Sequence, residues 1–233
     1  MAKLPSAFDI EKEMWIPVTK WLASQDLELK REFRMPWGIC DLVGVEWSHP
    51  RVSERKLRRQ KTPIGPLGRV AILQLVPDEE SGRSIGVDEL TAKMKQPTEW
   101  VTRELKRLIS GKFVKHNGDG SLISAVSWAP LHTRIVAIEL KLDRVDEAIN
   151  QARSHLAFAT ESYVGFPKVV AERIVSSHHA DVLQKAGVGL LSVTEKYTVV
   201  LTKPGSSSPI PRDSVLQMHC VERFWPRITG KVT

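Results

Sequence analysis

The sequence predicts an α/β fold in which a mixed β-sheet is flanked by helices and interrupted by an inserted helical module. Three observations predict it. Short apolar runs alternate with amphipathic helical stretches at both ends of the chain. A helical stretch joins two apolar runs near residue 150, and a crossover of that length pairs its strands in parallel. Between the two halves lies a basic run followed by "TPIGPLG" (residues 62–68), whose two prolines and two glycines deny helix and central strand alike.

The elements follow in order. A helix is expected over Phe8 to Ala23, strands over Leu27 to Arg34 and Cys40 to Trp47, and a turn at Pro36-Trp37-Gly38 between them. After the insertion come "RIVAIELKLDR", a helix from Val145 to Thr160, the strand "SYVGF", a helix from Lys168 to Lys185, then "VGLLSV" and "YTVVLT". "KPGSSSPIPRD" reads as a loop, and residues 215–224 as a short amphipathic run. The order is αββ, insertion, βαβ, αββ. This gives an α/β domain over residues 1–50 and 129–233, a basic linker over 51–64, and an inserted module over 65–128.

At 233 residues and 42% apolar content the chain can bury its own core without covalent staples. Cys40 and Cys220, far apart and preceded by no signal-like apolar stretch, suit a reducing compartment, so a cytoplasmic protein is expected. No apolar run approaches the ~20 residues of a membrane span, and no membrane partner is expected. The stretch from Arg51 to Lys61 carries six basic residues and one acidic, a local charge of +5. Either it contacts a polyanion, with Arg55, Arg58 and Arg59 as candidates, or it is a solvated linker.

The inserted module reads as three helices and a hairpin. In "PTEWVTRELKRLIS", Val101, Leu105 and Leu108 form one stripe, leaving Thr98, Thr102, Arg103 and Lys106 to face elsewhere. "HNGDG" offers the Asn-Gly and Asp-Gly pairs of a tight hairpin turn. This order, with a basic third helix, resembles a winged helix-turn-helix. The resemblance implies that the third helix enters a major groove and that Thr98, Thr102, Arg103 and Lys106 touch nucleic acid. Modules of this order also bind proteins, and Glu99 and Glu104 dilute the helix's positive field.

The chemistry is expected at the end of "RIVAIELKLDR". Alternation puts Val136, Ile138, Leu140 and Leu142 on one face and Ile135, Ala137, Glu139 and Lys141 on the other. Two charges thus share a face with residues that read as buried. Unpaired buried charge is costly, so each needs a partner or a ligand. Asp41 follows the turn in "GICDLVGVEW", and a hairpin can set it beside Glu139. On the first helix, at about 100° per residue, Phe8, Glu11, Trp15, Val18 and Leu22 fall in a sector of roughly 80°, with Glu13 on the opposite side. The plain alternatives are a salt-bridged strand end, a turn aspartate and a helix carboxylate satisfied by a neighbouring arginine.

"CDLVGV", then "VAIELKLD", then a helix bearing "NQA" resembles the PD-(D/E)XK nuclease superfamily, over roughly residues 8–47 and 131–201. The resemblance implies a restriction-endonuclease-like sheet and a Mg²⁺-dependent endonuclease, with Mn²⁺ as a substitute. Asp41, Glu139, Glu11 and the carbonyl of Leu140 would be metal ligands. Lys141 would orient water or offset transition-state charge, and Gln151 would reach the cleft. The departures are 97 residues between Asp41 and Glu139, and Cys40 where the family has proline. Cys40 itself reads as a small core residue, since no histidine partner is identifiable in the sequence. His178-His179 reads as surface, and Tyr163 as packing.

The expected function is a metal-dependent nuclease acting on DNA, with the winged helix binding substrate. RNA stays open as a substrate. Cutting both strands would suit a homodimer. The alternative is a DNA-binding regulatory protein whose nuclease-like core is inactive.

Overall fold

A computed structural model describes residues 8–125, 130–205 and 210–228. In chain order, a 3₁₀ turn (Glu11–Met14) leads into α1 (Trp15–Ala23), then β1 (Glu28–Met35), β2 (Gly38–Trp47), α2 (His49–Leu57), α3 (Leu67–Leu75), α4 (Val87–Met94) and α5 (Thr98–Ser110). A hairpin of β3 (Val114–His116) and β4 (Leu122–Ser124) follows, then β5 (His132–Leu140), α6 (Val145–His155), β6 (Glu161–Pro167), α7 (Lys168–Val175), α8 (His179–Ala186), β7 (Gly189–Val193) and β8 (Thr198–Thr202). Two short helices, α9 (Ser214–Glu222) and α10 (Trp225–Ile228), end the described chain.

The chain divides into two compact units, one of residues 1–47 and 132–213, the other of 48–131 and 214–233. The first is an α/β unit with a mixed six-stranded sheet in the order β1-β2-β5-β6-β7-β8. The β5/β6 and β6/β7 pairs are parallel and the rest antiparallel. Helices cover both faces. Met14, Val18 and Leu22 pack with Leu42, Val136, Ile138, Leu140, Leu191 and Val193. Ala148, Ile149, Ala152 and Leu156 of α6 join α7 and α8 residues around Val164, Phe166 and Leu190. Adjacent residues along β6 and β7 feed opposite cores, as a sheet buried on both sides requires. Trp47 pairs with His132, so β2 and β5 close on each other across the whole intervening segment.

Two helices differ from expectation for identifiable reasons. Pro17 has no N–H to give the carbonyl of Glu13, so the α-register starts only at Trp15 and the preceding residues coil as 3₁₀. The expected helix from Lys168 to Lys185 breaks after Val175. There Ser177 Oγ accepts from the His179 amide at 3.2 Å, the local competition that serine offers a helix interior.

The second unit differs more. The segment expected as a linker forms α2, and Arg55 on it is only 3% exposed. Its guanidinium forms a bidentate ion pair with Glu222, 1% exposed, through Nη1 to Oε1 and, at 2.9 Å, Nη2 to Oε2. Glu222 also accepts from the Ile64 amide at 2.7 Å, and the Trp225 indole lies 3.9 Å from the Arg55 guanidinium. The last helices therefore belong with the inserted residues and not with the sheet. A buried guanidinium needs this anion, and the pair outweighs chain proximity. The core of this unit gathers Val70, Ile72, Leu73, Leu90, Val101, Leu105 and Leu108 with Phe113 and Leu122. The module boundary expected at residues 128 and 129 lies outside the described residues, as does part of the loop at 203–213.

Candidate active site

The candidate site forms where β2 and β5 meet the 3₁₀ turn before α1. Leu42 pairs with Ile138, which sets Asp41 against the end of β5. Asp41 Oδ2 accepts from the Leu140 amide at 2.8 Å. Glu139 is 2% exposed and Lys141 6%, and the Lys141 ammonium donates to Glu139 Oε1 at 2.7 Å. Glu11 Oε2 lies 3.9 Å from the same ammonium. Glu13 turns the other way and accepts from the Asp9 amide at 2.8 Å, capping the turn.

The charges are unevenly compensated. Glu139 is held on both oxygens, by Lys141 and, through Oε2, by His155 Nε2 at 3.3 Å. Glu11 lies between Lys141 and the exposed Arg144, whose Nη2 is 3.4 Å away. Asp41 has no ion pair within 4 Å among the described residues, only the Leu140 amide. Burial, reinforced by the Glu139 charge, pushes its carboxyl up to about 6. Burial works against the Lys141 ammonium, yet hydrogen bonding to Glu139 and the surrounding acids raise its pKa. Asp41 is thus the one carboxylate of the three that the protein itself leaves short of positive charge.

His155 joins the cluster without being singled out by the sequence. It is 3% exposed on α6, and despite burial the neighbouring Cys40 and Glu139 raise its pKa to about 10. A signal for it exists: it stands three residues after Ala152 and seven after Ala148, inside the stripe that turns toward the sheet. Cys40 is fully buried, as a core residue should be, but a histidine does lie beside it. Sequence does not reveal the pairing because α6 brings that ring back over the sheet from beyond the insertion.

The remaining expected residues fall less centrally. Leu140 gives the cluster its amide, and its side chain is in the core. Gln151 is half-buried on α6, and its Oε1 lacks a hydrogen-bond partner among the described residues. Tyr163 packs edge-on to Trp21, ring centres 5.8 Å apart. In the second unit, Thr98, Arg103 and Lys106 are exposed and Thr102 is half-buried. Arg103 sits 3.4 Å from Glu104, a buried carboxylate that also takes Arg69 at 2.7 Å and Arg107 at 2.9 Å. Arg58 is exposed and bonds Glu54 and the Ala125 carbonyl, while Arg59 is exposed. Arg55 cannot reach a ligand, because its ion pair with Glu222 buries it. A cleft of about 670 Å³ opens at the other end of the sheet, against Trp21, Arg134, Glu161 and Tyr163, and no cluster residue lines it.

No helix among the described residues is long and apolar enough to cross a membrane. No family model matches the chain, and no curated protein matches it. Among solved structures it is similar to a protein of unknown function from Silicibacter pomeroyi, at 11% identity over 97% of this chain and 91% of that one, with a TM-score of 0.43.

Proposed function

We propose that the chain is a Mg²⁺-dependent endonuclease of the PD-(D/E)XK type, acting on DNA. The observation that carries this reading is the approach of Asp41 to the end of β5, beside a Glu139–Lys141 pair that also has Glu11 within 3.9 Å. A restriction-endonuclease-like core with a winged-helix insertion is the fold reading that accompanies it. The donor set suits a hard cation: Asp41 is desolvated and has no ion pair within 4 Å among the described residues, and Glu11 is only partly neutralised. Asp41, Glu139, Glu11 and the Leu140 carbonyl would hold Mg²⁺, or Mn²⁺ in its place, and the bound ion would polarise the phosphodiester.

The chain's own residues do the rest. Lys141, kept protonated by Glu139, offsets charge that develops on the phosphate oxygens or orients the attacking water. Gln151 on α6, whose buried Oε1 has no hydrogen-bond partner among the described residues, would be the group that positions that water or the phosphate. Leu140's amide fixes the Asp41 carboxylate, so little reorganisation is needed as charge builds. The second unit supplies affinity through Thr98, Thr102, Arg103 and Lys106 on α5, with Arg58 and Arg59 as further phosphate contacts.

The test is cleavage of supercoiled plasmid by the whole chain with Mg²⁺, with EDTA, and after Lys141→Ala. Cleavage that needs Mg²⁺ and falls by roughly 10²-fold or more in the variant is expected. Equal cleavage by variant and parent would end the role of Lys141, and DNA binding with no cleavage under any divalent ion would favour a regulatory protein.

A further inference from the structure

We propose that Cys40, Glu139 and His155 form a second cation site, of a softer kind than the proposed catalytic one, suited to Zn²⁺. One sulfur, one carboxylate oxygen and one imidazole nitrogen lie within 4.8 Å of one another. They come from β2, β5 and α6, three regular elements of the first unit, so their spacing is set by the fold and not by a mobile loop. All three are buried, at 0%, 2% and 3% exposure.

The donors select the ion. Thiolate and imidazole favour a borderline-soft cation, and Mg²⁺ takes neither readily. Zn²⁺ binds sulfur at about 2.3 Å and nitrogen or oxygen at about 2.0 Å, which in a tetrahedron puts donor atoms on the order of 3–4 Å apart. The present spacing needs only a small inward movement of the side chains.

A second observation points the same way. The protein alone does not satisfy His155: its Nδ1 is buried with no hydrogen-bond partner among the described residues, and its Nε2 contact to Glu139 is long, at 3.3 Å, for a charge-assisted bond. The Cys40 thiol makes long contacts to the Leu42 and Ile138 carbonyls, at 3.3 and 3.5 Å, and interacts with the His155 ring beside it. Binding forms three coordinate bonds and releases the thiol and imidazolium protons to solvent, with no change of oxidation state. The site shares Glu139 with the proposed nuclease cluster, but its existence rests on this geometry and not on that reading.

Co²⁺ is the probe, because a thiolate ligand gives it a near-ultraviolet charge-transfer band and a tetrahedral site gives intense visible bands. Titrating the reduced full-length chain should produce both at one equivalent, and Zn²⁺ should bleach them. Cys40→Ser should abolish the charge-transfer band, Cys220→Ser should keep it, and His155→Gln should weaken binding by roughly tenfold or more. In the unaltered chain, Zn²⁺ should slow alkylation of Cys40 but not of Cys220 on peptide mapping, a readout that does not depend on the variants folding. Absence of the band in the parent chain, or its survival in Cys40→Ser, would overturn the site. No nucleic acid enters the experiment, so an inactive nuclease cluster would leave this result standing.

Discussion

Asp41→Asn should make the folded protein more stable at neutral and alkaline pH while abolishing cleavage. Burial and the nearby Glu139 charge raise the Asp41 carboxyl from 3.8 to about 6, against the opposing pull of the Leu140 amide and Lys141. An acid whose folded pKa exceeds its unfolded one holds its proton more tightly when folded. Its contribution is therefore fully present below about pH 3.8, and is lost as pH rises to about 6. At 1.36 kcal/mol for each pH unit between those values, the ionised side chain costs the fold about 3 kcal/mol. Asparagine cannot ionise, and it keeps an oxygen for the Leu140 amide. The variant should match the parent near pH 3.5 and exceed it by ~3 kcal/mol at pH 8, or roughly 6–12 °C in Tm. Urea unfolding of both proteins across this pH range in EDTA measures the difference. Added Mg²⁺ should narrow it, because a cation bound only by the folded parent stabilises that parent. A variant no more stable than the parent at pH 8 in EDTA would refute the claim that Asp41 is a crowded, desolvated acid awaiting positive charge.

The other predictions concern packing and binding. Glu222→Gln should destabilise the second unit by about 3–5 kcal/mol, because it leaves the buried Arg55 guanidinium without its anion. Replacing both residues by leucine should cost less, a contrast that urea unfolding would read directly. Gly165→Ala would set a Cβ 2.5 Å from Leu140 Cδ2 in the core beside the cluster. The strain should cost about 1–3 kcal/mol in the same assay. If α5 binds DNA phosphates, Arg103→Ala with Lys106→Ala should flatten the slope of log affinity against log salt by about 0.9 for each phosphate that is no longer neutralised. An unchanged slope would remove α5 from the interface.

The sequence by itself determined whatever has a local period. Alternation along residues 134–142 separated Val136, Ile138 and Leu140, which share one core, from Glu139 and Lys141. Helical phase separated Glu11, the inward acid, from Glu13, and the 3₁₀ turn that forms there keeps that division, with Glu11 toward Lys141 and Glu13 on the Asp9 amide. The mixed sheet with helices on both faces followed from the order of apolar runs and from the crossover through α6. Such patterns are readable because each position's environment depends on neighbours a few residues away.

Only the tertiary structure decided which distant groups satisfy one another. The Arg51–Lys61 run looks solvated in isolation, since its one acid, Glu54, pairs with Arg51 and Arg58 and not with Arg55. Glu222, 167 residues later, does so, and it draws the last helices into the second unit. Gln60 is buried for a similar reason, donating to the Lys112 carbonyl at 2.7 Å. His155 likewise reads as one polar interruption of an apolar stripe until the fold sets Glu139 and Cys40 against it. A buried charge is stabilised by whatever counter-charge the chain can deliver in space, and separation along the sequence places almost no limit on which residue that is.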